Sequence, residues 1–114
     1  MSQVTTQTKS YAVYQNIGVR ENDQVAMDAD RDIRFRGNWS TEYLLHYRKV
    51  AEVRAESLEQ VFELCNLWED SNLWTGENVY RGRVNKPYSL SVGDIVRQGT
   101  DWYLCESVGW RKII

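Results

Sequence analysis

The stretch from Tyr88 to Trp110 constrains this chain most. Leu90 and Val92 alternate with Ser89 and Ser91, Gly93-Asp94 marks a kink or tight turn, and Ile95-Val96 resumes the apolar run. Gln98-Gly99-Thr100-Asp101 has the length and composition of a hairpin loop, and Trp102-Tyr103-Leu104-Cys105 returns as a strand. Gly109 breaks that strand, and Trp110 to Ile114 adds a final short one. Two strands joined this closely must lie side by side, so the C-terminal quarter is part of an antiparallel sheet.

The rest of the chain supplies partners for that hairpin. Over Tyr43 to Ala55, the residues Tyr43, Leu45, Tyr47, Ala51, Val53 and Ala55 fall on one face, with Lys49 as the exception. Leu44, His46, Arg48, Glu52 and Arg54 fall on the other, mostly polar face, which is the period of a half-buried strand. A helix follows. Ser57 and Gln60 form a Ser-x-x-Gln capping box, and Leu58, Val61, Phe62, Cys65 and Trp68 follow the i, i+3, i+4, i+7 rule of an amphipathic stripe. Glu56 and Glu59 lie where the helix dipole favours anions.

Upstream, residues 1–10 are polar and are expected to be a disordered tail, with residues 11–114 forming one domain. Tyr11-Ala12-Val13-Tyr14 reads as a strand ending near Ile17-Gly18. Glu21 to Asp32 is acidic and reads as a loop, Ile33-Arg34-Phe35-Arg36 as a short strand, and Gly37-Asn38 as a turn. The sum is an α+β domain: a mostly antiparallel sheet of about five strands, with one amphipathic helix over about 57–69 packed on one face.

Composition narrows the functions open to such a domain. With 114 residues, 42% hydrophobic and 26% charged, the chain can bury a core without metals or disulfides. A net charge of -2 argues against a broad polybasic surface for duplex DNA. Cys65 and Cys105 are far apart in apolar patterns, so they read as buried, reduced thiols rather than a disulfide, a zinc site or a redox pair. No apolar run approaches the length of a membrane span and no signal-peptide core is present, so the expected location is the cytoplasm, with no membrane partner. Five Trp and seven Tyr are a heavy aromatic load, read first as core, the competing reading being that one or two Trp sit exposed as interface anchors.

Catalytic and cofactor patterns are lacking. His46, placed on the polar face of the Tyr43–Ala55 strand, is the sole histidine, and no Ser or Cys carries an elbow motif. Asp28, Asp30 and Asp32 have the 1, 3, 5 spacing that opens a calcium loop, but Ile33 replaces the required Gly and Trp39 the required Glu. No phosphate-cradling glycine motif occurs. The expectation is therefore no enzyme, no catalytic residue, no cofactor and no metal. The most suggestive surface stretch is Tyr80-Arg81-Gly82-Arg83-Val84-Asn85-Lys86-Pro87-Tyr88, basic and flanked by aromatics. It reads as a solvated connection, as a docking patch for an acidic protein, or as a single-strand or RNA contact in which arginines meet phosphates and tyrosines stack on bases.

Tyr88-Ser89-Leu90-Ser91-Val92-Gly93-Asp94-Ile95-Val96, followed by Trp102-Tyr103-Leu104-Cys105 and Val108-Gly109-Trp110-Arg111-Lys112-Ile113, resembles a C-terminal module of small phage and actinobacterial mobile-element proteins. The same module is found in YodL-like parts of polyvalent proteins suspected of countering host defences. Tyr47 to Val53 and Leu58 to Leu67 are similar to the strand and helix that precede it there, so the resemblance covers about residues 43–113. Gly93 stands where many relatives carry Ser. The resemblance implies a phage-type origin and expression in a bacterial host cytoplasm, and it offers no catalytic residues. Together these readings point to a non-enzymatic accessory protein that binds a host or phage protein, in the manner of a counter-defence inhibitor. The alternative is a small RNA or single-stranded nucleic-acid binder. The expected contact residues are Tyr80, Arg81, Arg83, Lys86, Tyr88, Trp102 and Trp110.

Overall fold

The computed structural model describes residues 8–65, 79–81 and 90–114. Among the described residues six strands form one sheet: β1 (Lys9–Asn16), β2 (Tyr47–Ala55), β3 (Val79–Arg81), β4 (Ile95–Gln98), β5 (Asp101–Cys105) and β6 (Trp110–Lys112). Their order across the sheet is β3-β2-β1-β4-β5-β6, and every neighbouring pair is antiparallel. Two helices, α1 (Gln24–Arg36) and α2 (Leu58–Leu64), complete the described chain, with 3-10 turns at Ile17–Val19 and Thr41–His46. This is the expected α+β arrangement. β1 begins at Lys9, inside the stretch expected to be a tail, and sits at the centre of the sheet because it pairs with both β2 and β4.

The hairpin turns where it was expected to, but its strands are only Ile95–Gln98 and Asp101–Cys105: residues 90–94, expected to begin the first strand, form a turn around Val92-Gly93, and Tyr88 and Ser89 lie outside the described residues. Gln98 pairs with Asp101 across a two-residue turn in which Gly99 has φ 62, the left-handed value that glycine adopts without penalty. The capping box of α2 is also present. Ser57 Oγ accepts from the Gln60 N–H at 3.1 Å, and Gln60 Oε1 accepts from the Glu56 N–H at 2.7 Å. α2 ends at Leu64 with Cys65 as its C-cap, and positions 66–69 of the expected helix lie outside the described residues.

Helix α1 corrects two expectations at once, the acidic loop at 21–32 and the strand at 33–36. Its buried stripe is Ala26, Ala29 and Ile33, so two of its three inward residues are alanines that a search for large apolar side chains passes over. Asp23 caps it, accepting from the Val25 N–H at 3.0 Å and the Ala26 N–H at 3.3 Å. The three aspartates with calcium-loop spacing lie on this helix and face arginines three or four residues on: Asp28–Arg31 at 3.5 Å, Asp30–Arg34 at 2.8 Å and Asp32–Arg36 at 3.5 Å. Gly37, in the left-handed conformation at φ 69, ends the helix.

A second correction concerns β2. Residues Thr41–His46 form a 3-10 turn rather than the start of the strand, so His46 lies at the strand entrance and not on its polar face. Val13 pairs with Ala51 but Tyr14 pairs with Lys49, which leaves Val50 as an extra residue in a β-bulge. The bulge turns Val50 and Ala51 inward together and exposes Lys49. It also sends Tyr47 to the face opposite Ala51, Val53 and Ala55, whose side it was expected to share.

The sheet is consequently packed on both faces. On one, Tyr11, Val13, Val53 and Val96 meet Val61 and Cys65 of α2, together with Leu90. On the other, Tyr47, Ile95 and Leu104 meet Ile33 of α1, with Trp39, Tyr43 and Leu44 closing the margin. Two covered faces explain why Ile95-Val96 and Leu104-Cys105 are apolar pairs rather than alternating with polar residues.

Candidate functional site

The residues expected to make contacts do not form one surface. Tyr80 and Arg81 lie in β3, paired with Glu52 and Ala51, at one end of the sheet order. Trp102 and Trp110 lie in β5 and β6 at the other end. Arg83, Lys86 and Tyr88 lie outside the described residues. Trp102 is also on the opposite face from Trp110. It belongs to the α1 side, its ring 5.0 Å from that of Tyr14 and the Arg97 guanidinium 5.2 Å above it. Trp102 is thus already engaged by its own fold.

Trp110 is different. It packs against the α2-side core and is half-buried, with its remaining surface turned into an open groove of about 370 Å³. One wall is α2, through Glu59, Phe62 and Glu63, and the other is the β5–β6 connection with Cys105, Glu106 and Trp110. The sequence builds both walls locally. The capping box starts α2 so that Val61 and Cys65 point at the sheet, which rotates Phe62 to the groove, where it is 38% exposed. On the other side Cys105 pairs with Trp110, the Glu106 N–H donates to the Gly109 carbonyl at 3.0 Å, and Gly109 takes φ 75. That tight turn leaves Val108 at its tip, 89% exposed.

Charge at the groove is one-sided. Glu106 is bridged by Arg111 at 3.1 Å. Glu59 and Glu63, one helical turn apart, have no ion pair among the described residues, so the α2 wall carries unbalanced negative charge beside aromatic side chains.

A second cluster lies beneath the Gly93-Asp94 turn and was read from the sequence as turn chemistry alone. Asp94 is buried. Its carboxyl accepts from Gln15 Nε2 at 3.1 Å and from the Ser91 N–H at 3.0 Å, while its carbonyl accepts from the Cys105 N–H at 2.9 Å. The Tyr47 hydroxyl donates to the Gly93 carbonyl. Burial raises the Asp94 carboxyl to about 7 against the hydrogen bonds from Ser91 and Gln15 and the field of Arg34, which favour the charged form. Burial, with Asp94 nearby, likewise raises the Tyr47 phenol. This cluster joins three strands and faces inward, and it serves the fold.

Cys65 and Cys105 are free and buried, as read, and burial pushes both thiols up to about 12, so neither is an activated nucleophile. Among the described residues no group of three His, Cys, Asp or Glu is placed to hold a metal, and no helix is long and apolar enough to cross a membrane. No protein-family model, curated protein or solved structure matches this chain.

Proposed function

We propose that this chain is a non-enzymatic accessory protein of a phage or mobile element that acts by binding a protein of the bacterial host or of the element itself, in a counter-defence role. The observation that carries the reading is the groove between α2 and the β5–β6 turn, where Phe62 and Trp110 present apolar surface, with Val108 exposed at the tip of that turn. Apolar aromatic surface bordered by polar groups is what protein contacts use, with aromatic residues as anchors. The resemblance of residues 43–113 to mobile-element modules supplies the context. The groove-facing charge is negative, which disfavours a nucleic-acid phosphate backbone at this position.

The test is site-specific photo-crosslinking in host lysate, with p-benzoylphenylalanine at position 62 and, as control, at the exposed position 35 on the other face. The expected result is one protein joined through position 62 and not through position 35, which then forms a one-to-one complex with the chain when both are purified. Nucleic acid as the dominant adduct, or no adduct that survives reconstitution, refutes the reading.

A further inference from the structure

From the same groove we infer the chemistry of the partner: a segment in which an apolar side chain is flanked by Lys or Arg. This rests on the reading of the groove as a protein-docking site and adds what it selects. The two walls supply Phe62 and Trp110, which face a space of about 370 Å³ with room for an apolar anchor. That volume suits a few side chains rather than a folded domain. The α2 wall supplies Glu59 and Glu63, which have no ion pair among the described residues, and Arg111, a cation next to the facing wall, is held by Glu106 at 3.1 Å. Arg111 is tied down a second time, its Nη2 donating to the Gly37 carbonyl at 2.9 Å, so it does not swing across to neutralise α2. Lys112, the next basic residue of β6, is paired with Asp101 at 3.1 Å. Uncompensated carboxylates beside apolar surface are complementary to cations spaced around an apolar residue, and they repel acidic segments, which sets specificity more than affinity.

The probes are three nine-residue peptides of alternating Leu with Lys, Ser or Glu, titrated into the 15N-labelled chain. The Lys peptide is expected to shift the Trp110 indole and the amides of Phe62, Glu63 and residues 105–109, with the Glu peptide leaving them in place. The variant Glu59→Lys/Glu63→Lys is expected to weaken the Lys peptide at least tenfold and to admit the Glu peptide. Glu59→Gln/Glu63→Gln removes the charge with less change of shape and should give an intermediate loss. A Ser peptide that binds as tightly as the Lys peptide overturns the inference while leaving the groove a docking site. Failure of all three peptides to perturb the groove, together with no adduct through position 62, removes the docking reading as well.

Discussion

Replacing Asp94 by Asn should remove a pH dependence built into the fold. Asp94 lies under the sheet with its carboxyl bound by Gln15 Nε2 and the Ser91 N–H, while the nearest guanidinium, Arg34, is already engaged by Asp30 at 2.8 Å. Two neutral donors do not offset the loss of hydration, so burial holds the group at about 7 in the folded chain. In the unfolded chain an aspartate titrates at about 3.9. Between those values the folded state keeps a proton that the unfolded state has released. Stability is therefore fully present below about pH 4 and declines as pH rises toward 7. The gap corresponds to on the order of 4 kcal/mol, since each pKa unit is worth about 1.4 kcal/mol.

Asparagine does not ionise. Ser91 N–H and Gln15 Nε2 both donate to the same carboxyl oxygen, Oδ2, so an asparagine oxygen placed there keeps both hydrogen bonds, with the NH2 group standing where Oδ1 was. Urea unfolding followed by tryptophan fluorescence at pH 4.5, 5.5, 6.5 and 7.5 measures both proteins. The difference between them cancels every group they share. It should move by about 3 kcal/mol in favour of Asp94→Asn from the lowest to the highest pH. Two stability curves that stay parallel within about 1 kcal/mol across this range would refute the claim that Asp94 is a buried, proton-holding carboxyl.

Two further perturbations probe the packing. A Cβ added at Gly18 would sit 2.4 Å from Ala26 Cβ, where the first 3-10 turn touches α1, so Gly18→Ala should cost about 1–3 kcal/mol by thermal unfolding. An unchanged midpoint would mean that the turn and helix are not in this contact. The two buried thiols should react with Ellman's reagent at pH 8 far more slowly than free cysteine, and together once the chain is unfolded in urea. Rapid native-state modification of Cys105, which lines the groove, would contradict its burial.

Features set by neighbours in the chain were legible in the amino-acid sequence. The Ser57–Gln60 box predicts the start of α2 because a cap is satisfied within four residues. The Gly99 turn predicts the β4–β5 hairpin for the same reason. Burial of Cys65 and Cys105 followed from their apolar surroundings. Helix α1 is hidden in the sequence although its caps, Asp23 and Gly37, stand there: its inward face is mostly alanine, and its aspartates, paired at short range with arginines, look like a solvated loop when hydrophobicity alone is weighed. An Asp before the stripe and a Gly after it were the signals that could have found it.

Tertiary structure alone decided the rest. The bulge at Val50 is a matter of register between β1 and β2, and no local rule states which residue will be doubled. Asp94 looks like an ordinary turn residue until Gln15, 79 positions away, and Tyr47, 46 positions from Gly93, close over its turn. The groove has the same origin. Phe62 and Trp110 are 48 positions apart in the chain, and only the order of strands across the sheet brings α2 beside the β5–β6 turn. Sequence periodicity says which side of an element is apolar, whereas the choice of which apolar surface stays uncovered depends on how the layers meet.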